Sequence, residues 1–206
     1  MTTAPRFKVV VCGRAGVGKT SLLRATDPTW RLDDARPAPA TIGVDFFTRA
    51  IAASDGRLVE LMFWDTAGQE RYAPPPRSVY RDAHAIVFVY DITRRDSFDA
   101  MATLLGAALA VAAEPHVIII GAKADLAAQR AVTVAEAEEG CRAHNYSLLE
   151  TSARDRTNVD AMLLALADAL VLRVPTAPHA VKLHQPPRLS GATILPPSPP
   201  PPSCNC

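Results

Sequence analysis

The chain has 206 residues, of which 49% are hydrophobic, enough for one well-buried domain with an appendage. Its 22 basic and 21 acidic residues leave a net charge of +1, which excludes a chain that grips nucleic acid by charge. Met1–Lys8 lacks the apolar stretch of a secretory signal, runs such as Ala83–Tyr90 and Val117–Gly121 are too short to span a bilayer, and Cys12, Cys141, Cys204 and Cys206 form no disulfide framework and suit a reducing cytosol.

The first expected strand is the apolar run Phe7–Cys12. It leads straight into Gly13-Arg14-Ala15-Gly16-Val17-Gly18-Lys19-Thr20, which fits G-x-x-x-x-G-K-[ST]. In such a loop the glycines let backbone N–H groups turn inward around a cluster of anionic oxygens. The expected helix Lys19–Thr26 presents its positive end to the same oxygens. Lys19 supplies charge for β- and γ-phosphates, Thr20 offers its hydroxyl to Mg²⁺, and Ser21 closes the nucleotide-binding stretch.

Strands are next expected at Val44–Ala52 and Leu58–Asp65, joined by an Asp55-Gly56 turn that makes the pair antiparallel. The second ends in Trp64-Asp65-Thr66-Ala67-Gly68-Gln69-Glu70. A carboxylate at Asp65 can hold Mg²⁺ through its water shell, the Gly68 N–H can reach a γ-phosphate, and Gln69 can orient an attacking water. Pro74-Pro75-Pro76 removes three donors and blocks a helix, so an extended turn is expected there.

Further strands are expected at Ala85–Asp91, Val117–Ala122 and Ser147–Thr151, with helices at Ser97–Ala113, Val134–His144 and Val159–Leu172. In the last helix Met162, Leu163, Leu166, Ala169, Leu170 and Arg173 follow one helical period. After the fifth strand comes Ala122-Lys123-Ala124-Asp125. A carboxylate at Asp125 accepts from N1–H and the 2-amino group of guanine, an arrangement adenine lacks, and the stem of Lys123 can cover the base. Thr151-Ser152-Ala153-Arg154 follows the sixth strand, where a backbone N–H can meet guanine O6. Residues 175–206 hold ten of the eighteen prolines and are expected to be a disordered or polyproline-II tail.

Strand–helix alternation of this kind predicts an α/β fold with a mostly parallel six-stranded sheet, helices on both faces, and ligands at the carboxyl ends of the strands. The phosphate loop at residues 13–20 makes the expected class a P-loop NTPase. The ordered motifs over residues 7–174 resemble the small GTPases of the Ras superfamily, and most of all the Rab family. Thr41-Ile42-Gly43-Val44-Asp45-Phe46 is similar to the end of the Rab switch I, Trp64 through Tyr72 to strand three and switch II, and Tyr80-Arg81 to the segment that follows. The resemblance implies a GTP/GDP switch that hydrolyses GTP, with residues 1–174 as the G domain.

It further implies that Thr41 ligates Mg²⁺, that Trp30 is the aromatic at the guanine edge across a one-residue gap, and that Ile42, Gly43, Phe46 and Trp64 belong to the effector surface. Cys204-Asn205-Cys206 resembles the C-x-C end on which Rabs carry two geranylgeranyl groups, and two lipid chains anchor stably where one is marginal. The expected setting is the cytoplasmic face of an intracellular membrane, cycling with cytosol. The expected partners of this monomer are an exchange factor, a GTPase-activating protein, effectors, a Rab escort protein and a GDP-dissociation inhibitor.

The chain departs from the Rab pattern at several points. Ala122 stands where the family has Asn, whose side chain bonds guanine N7 and ties the base loop to the phosphate loop. Arg31–Ala40 is about four residues long beyond the family pattern and contains Pro37 and Pro39. Val79 occupies the place of a surface aromatic, and Ala15 puts a Cβ where an arginine finger enters. Two readings follow: a GTP-hydrolysing switch in membrane traffic, and a prenylated nucleotide-binding module with weak or fast-exchanging nucleotide and little hydrolysis. A metabolic P-loop kinase is disfavoured, because no lid segment is evident.

Overall fold

The computed structural model describes residues 4–32, 44–66 and 76–174. The strands are β1 (Arg6–Cys12), β2 (Val44–Ala52), β3 (Leu58–Thr66), β4 (Ala85–Asp91), β5 (His116–Ala122) and β6 (Ser147–Thr151). They form one sheet in the order β2-β3-β1-β4-β5-β6. All neighbouring pairs are parallel except β2 with β3, which run antiparallel from Val44 opposite Thr66 to Ala52 opposite Leu58. The Asp55-Gly56 turn closes that hairpin, with the Gly56 N–H on the Ala53 carbonyl at 2.8 Å.

Among the described residues, five α-helices cover the sheet: α1 (Lys19–Ala25), α2 (Arg95–Asp99), α3 (Met101–Leu109), α4 (Val134–Arg142) and α5 (Val159–Val171). Strand alternation sends Val9 and Val11 to one face, where they pack with Leu22 and Leu23 of α1 and Met162, Leu166 and Leu170 of α5. Val10 and Cys12 face the other way, toward Phe98 of α2, Leu105 and Ala108 of α3, and Ala137 and Cys141 of α4. β4 is buried along its whole length, as a central strand covered on both faces must be. The doubly covered α/β sheet read from the sequence is therefore the fold.

Local differences have local causes. The helix expected at Ser97–Ala113 is interrupted at Ala100, whose ψ of −11° opens the turn between α2 and α3. It ends at Leu109 because the chain must enter β5 through Glu114, at φ 47°, and Pro115. α4 starts where Thr133 accepts the Glu136 N–H at 3.2 Å, a capping contact. On α5 the buried face includes Ala167 and Val171; Ala169 is half-buried, and Arg173 is exposed and donates to the Glu114 carbonyl at 2.8 Å. Pro76 is extended at φ −52° and ψ 134°, and a 3₁₀ turn at Arg77–Tyr80 follows it at once. Pro74 and Pro75, most of the 31–40 insertion and the 175–206 tail lie outside the described residues.

Candidate functional site

β1 lies between β3 and β4 and the chain leaves it in both directions, so a crevice forms at the carboxyl ends of the parallel strands. Every described residue assigned to phosphate, metal or base, Trp30 apart, comes from these strand ends or from the loops and first helical turn that follow them. The loop Gly13–Gly18 joins β1 to α1, and its three glycines have φ of 141°, 76° and 107°. Gly18 caps α1 in the left-handed region, and its carbonyl accepts the Leu22 N–H at 2.8 Å. Val17 is fully buried and its side chain belongs to the core below the loop. Ala15 and Ser21 are half-buried at the loop and in the first turn of α1.

Lys19 is 5% exposed, and its Nζ donates to the carbonyls of Gly13 at 2.6 Å and Arg14 at 3.2 Å. Its charge is thereby held over the loop rather than in water. Thr20 Oγ1 donates to Asp65 Oδ2 at 2.5 Å, which brings the α1 hydroxyl and the fully buried β3 carboxylate to one point. Next to Asp65, Thr66 Oγ1 donates to the Val11 carbonyl at 2.8 Å and fixes the end of β3 against β1.

The base-reading segment follows β5. Lys123 adopts φ 66°, and its Nζ donates to Asp91 Oδ2 at 2.6 Å and to the Gly16 carbonyl at 3.2 Å. Asp91 ends β4, is fully buried, and also accepts the N–H and hydroxyl of Thr93 at 2.9 and 2.7 Å. Asp125 Oδ1 accepts from Ser152 Oγ at 2.7 Å, and its Oδ2 lies 3.3 Å from Arg154 Nε. Ser152 Oγ in turn accepts the Arg154 N–H at 3.2 Å, which orders the Ser152-Ala153-Arg154 turn beside the carboxylate. Trp30 is half-buried and packs against the core cluster on the α1 and α5 face of the sheet.

Ala122, the last residue of β5, pairs with Thr151 of β6. Its Cβ lies 4.0 Å from where a Cβ on Gly18 would stand. The Thr151 hydroxyl oxygen is buried and has no hydrogen-bond partner among the described residues. The Ala122 methyl thus stands against the phosphate loop at the position in register with Thr151, whose buried hydroxyl would take a hydrogen bond.

On the far side of the sheet, register sets Phe46 opposite Trp64. The rings meet edge-on with centroids 4.6 Å apart, Phe46 is 63% exposed, and Lys8 Nζ sits 4.1 Å from the Trp64 ring centroid. Val79 is buried in the 3₁₀ turn, so among the described residues the aromatic surface here is the exposed Phe46 with the half-buried Trp64 beside it. Thr41, Ile42, Gly43, Gly68, Gln69, Cys204 and Cys206 lie outside the described residues.

Three residues at the site were missed in the sequence. Asp91 carries the same signal as Asp65, a carboxylate that ends an apolar run. Thr151 stands out only once its register with Ala122 is known. Arg94 gives no local signal; its Nη1 donates to the Ala15 carbonyl at 3.1 Å.

The oxygen donors Thr20 and Asp65 suit a hard divalent cation such as Mg²⁺, and the glycine-lined loop with Lys19 suits a phosphate chain. The family model described as the Ras family matches residues 8–171. The Ras-related protein Rab-30 of Homo sapiens is 40% identical over 169 residues, covering 80% of this chain and 80% of that protein. Rab-26 of Bos taurus is 38% identical over 174 residues, covering 84% and 66%. Rab-19 of Xenopus laevis is 35% identical over 202 residues, covering 97% and 93%.

Proposed function

We propose, from the premise that this chain belongs to the Ras family of small GTPases and is most like its Rabs, that it is a membrane-anchored switch which binds GTP, hydrolyses it to GDP and changes partners as it does so. Guanine-nucleotide binding, GTPase activity and a general place in membrane traffic come with the family.

The observation that carries the reading is the Lys123 bridge. One ammonium joins the Gly16 carbonyl of the phosphate loop to Asp91, immediately beside the base-reading segment, so the two halves form one site. In that site Asp125 reads the N1–H and 2-amino edge of guanine, the backbone of Ser152-Ala153-Arg154 meets O6, and the Lys123 stem covers the ring. The amides of Gly13–Thr20 and the Lys19 charge hold the phosphates, with Trp30 at the outer edge of the base. Thr20, Asp65 and Thr41 would hold Mg²⁺, which when bound neutralises charge on the β- and γ-phosphates. Gln69 orients a water whose oxygen bonds to the γ-phosphorus as the bond to the β-phosphate oxygen breaks; GDP and inorganic phosphate leave. Gly68 and Thr41 release as the γ-phosphate goes, which is the change that partners read.

Cys204 and Cys206 are proposed to carry two prenyl groups, delivered by an escort protein and extracted by a dissociation inhibitor, with the protein acting at the cytoplasmic face of an intracellular membrane. Effectors meet the exposed Phe46 and its half-buried partner Trp64, and by the family resemblance Ile42 and Gly43 contribute to the same surface. In single-turnover assays Gln69→Leu is expected to lower hydrolysis about tenfold or more while leaving GTP binding intact. Equal turnover in variant and parent would remove Gln69 from the mechanism.

The second reading, a fast-exchanging module, is favoured by one observation: the buried Thr151 hydroxyl, without a hydrogen-bond partner among the described residues, on the residue in register with Ala122. Ala122→Asn supplies an amide between Thr151 and the phosphate loop. Two added hydrogen bonds of about 1 kcal/mol each predict GDP release slower by about ten- to a hundredfold. An unchanged release rate would show that another contact already ties the two loops.

A further inference from the structure

We infer that Arg94 is a positioning residue of the phosphate loop, holding the Ala15–Gly16 peptide so that the Gly16 amide faces the bound phosphates; this rests on the nucleotide site proposed above. The Arg94 guanidinium lies across the outside of the loop. Its Nη1 donates to the Ala15 carbonyl at 3.1 Å and stands 3.7 Å from where a Gly16 Cβ would be. In a trans peptide the carbonyl and the next N–H point in opposite directions. A carbonyl drawn outward to Arg94 therefore turns the Gly16 N–H inward. Lys123 does the same for the following peptide through the Gly16 carbonyl.

That peptide needs an outside hold. Gly16 sits at φ 76°, and a glycine takes either sign of φ at little cost, so the Ala15–Gly16 unit could turn over. With the carbonyl inward, a negative dipole end would face the phosphates. Arg94 opposes this because it is itself fixed. Its Nε and Nη2 fork onto Asp96 at 3.3 and 2.8 Å, and Arg14 Nε adds a second cation 3.5 Å from the same carboxylate. The Arg94 backbone N–H donates to the Asp91 carbonyl at 2.9 Å. Arg94 and Lys123 therefore brace adjacent peptides of the loop from one anchor at the end of β4. The next residue, Arg95, turns away from the loop and pairs with Asp99 and Glu136.

The test is release of a fluorescent GDP from the full-length protein with Mg²⁺, together with hydrogen exchange at the Gly16 amide of the GDP-loaded form. Arg94→Ala is expected to speed release about tenfold and to raise Gly16 exchange, since a charged hydrogen bond to the loop is lost. Arg94→Lys keeps a cation within reach of the Ala15 carbonyl and stays within about threefold of the parent. Arg95→Ala leaves both readouts unchanged. Release and exchange in Arg94→Ala matching the parent, or an equal effect of Arg95→Ala, would overturn the inference. Should Arg94→Ala fail to fold, Asp96→Asn loosens the fork and carries the same test: faster release supports the inference and unchanged release overturns it. A parent protein that binds no GDP would remove the nucleotide reading and this inference with it.

Discussion

Asp125→Asn is expected to lower GDP affinity by about a hundred- to a thousandfold, from the loss of two charge-assisted hydrogen bonds. The carboxylate is held from behind by Ser152 Oγ at 2.7 Å and Arg154 Nε at 3.3 Å, so its aim is fixed by the fold rather than by the ligand. Asparagine keeps the shape but exchanges one acceptor for an NH₂ donor, which then meets the donors of guanine. Xanthine has a carbonyl in place of the 2-amino group and accepts from that donor, so the variant is expected to prefer xanthosine diphosphate. Competition binding with GDP and xanthosine diphosphate checks both effects. Undiminished GDP affinity would mean that Asp125 does not read the base.

Gly13→Ala is expected to destabilise the domain by about 3–5 kcal/mol, combining overpacking with a left-handed backbone. A Cβ at residue 13 would lie 2.0 Å from the carbonyl oxygen of Val89 and 3.0 Å from its carbonyl carbon, and residue 13 has a φ of 141°. The obstacle is the backbone of β4, which is paired to β1 and buried along its length, so no side chain can swing aside. Thermal unfolding followed by circular dichroism should show a midpoint about 6–20 °C lower, at roughly 2–4 °C per kcal/mol for a chain of this size. A midpoint unchanged within about 2 °C would show that β1 and β4 can part to admit a methyl group.

How much of this was legible in the sequence depends on how local each signal is. The phosphate loop was legible because four residues at fixed spacing within eight, Gly13, Gly18, Lys19 and Thr20, each meet a separate demand of an anion cradle. Asp65 and Asp125 were legible because each lies at or just beyond the end of an apolar strand, and a parallel sheet carries such ends to one edge. Arg94 was not, because its partner, the Ala15 carbonyl, is 79 residues away and two adjacent arginines carry no local signal of such a contact. Thr151 was quoted only as the lead-in to Ser152; its buried hydroxyl gains meaning from the register that sets it opposite Ala122. Val79 reads as a lost surface aromatic until the 3₁₀ turn after Pro76 takes it into the core. Periodicity on α5 found the buried face through Met162, Leu166 and Leu170, and strayed at Arg173, where the helix has ended and the side chain reaches the Glu114 carbonyl.

The central claim is that the crevice at the end of β1 takes guanine and excludes adenine. Its most direct test is the nucleotide that the full-length protein, purified with Mg²⁺, yields on denaturation and chromatography. GDP or GTP recovered near one per chain, with no adenine nucleotide, is the expected result. Recovery of ADP or ATP, or of no nucleotide from a protein that also takes up no added GTP, would contradict it.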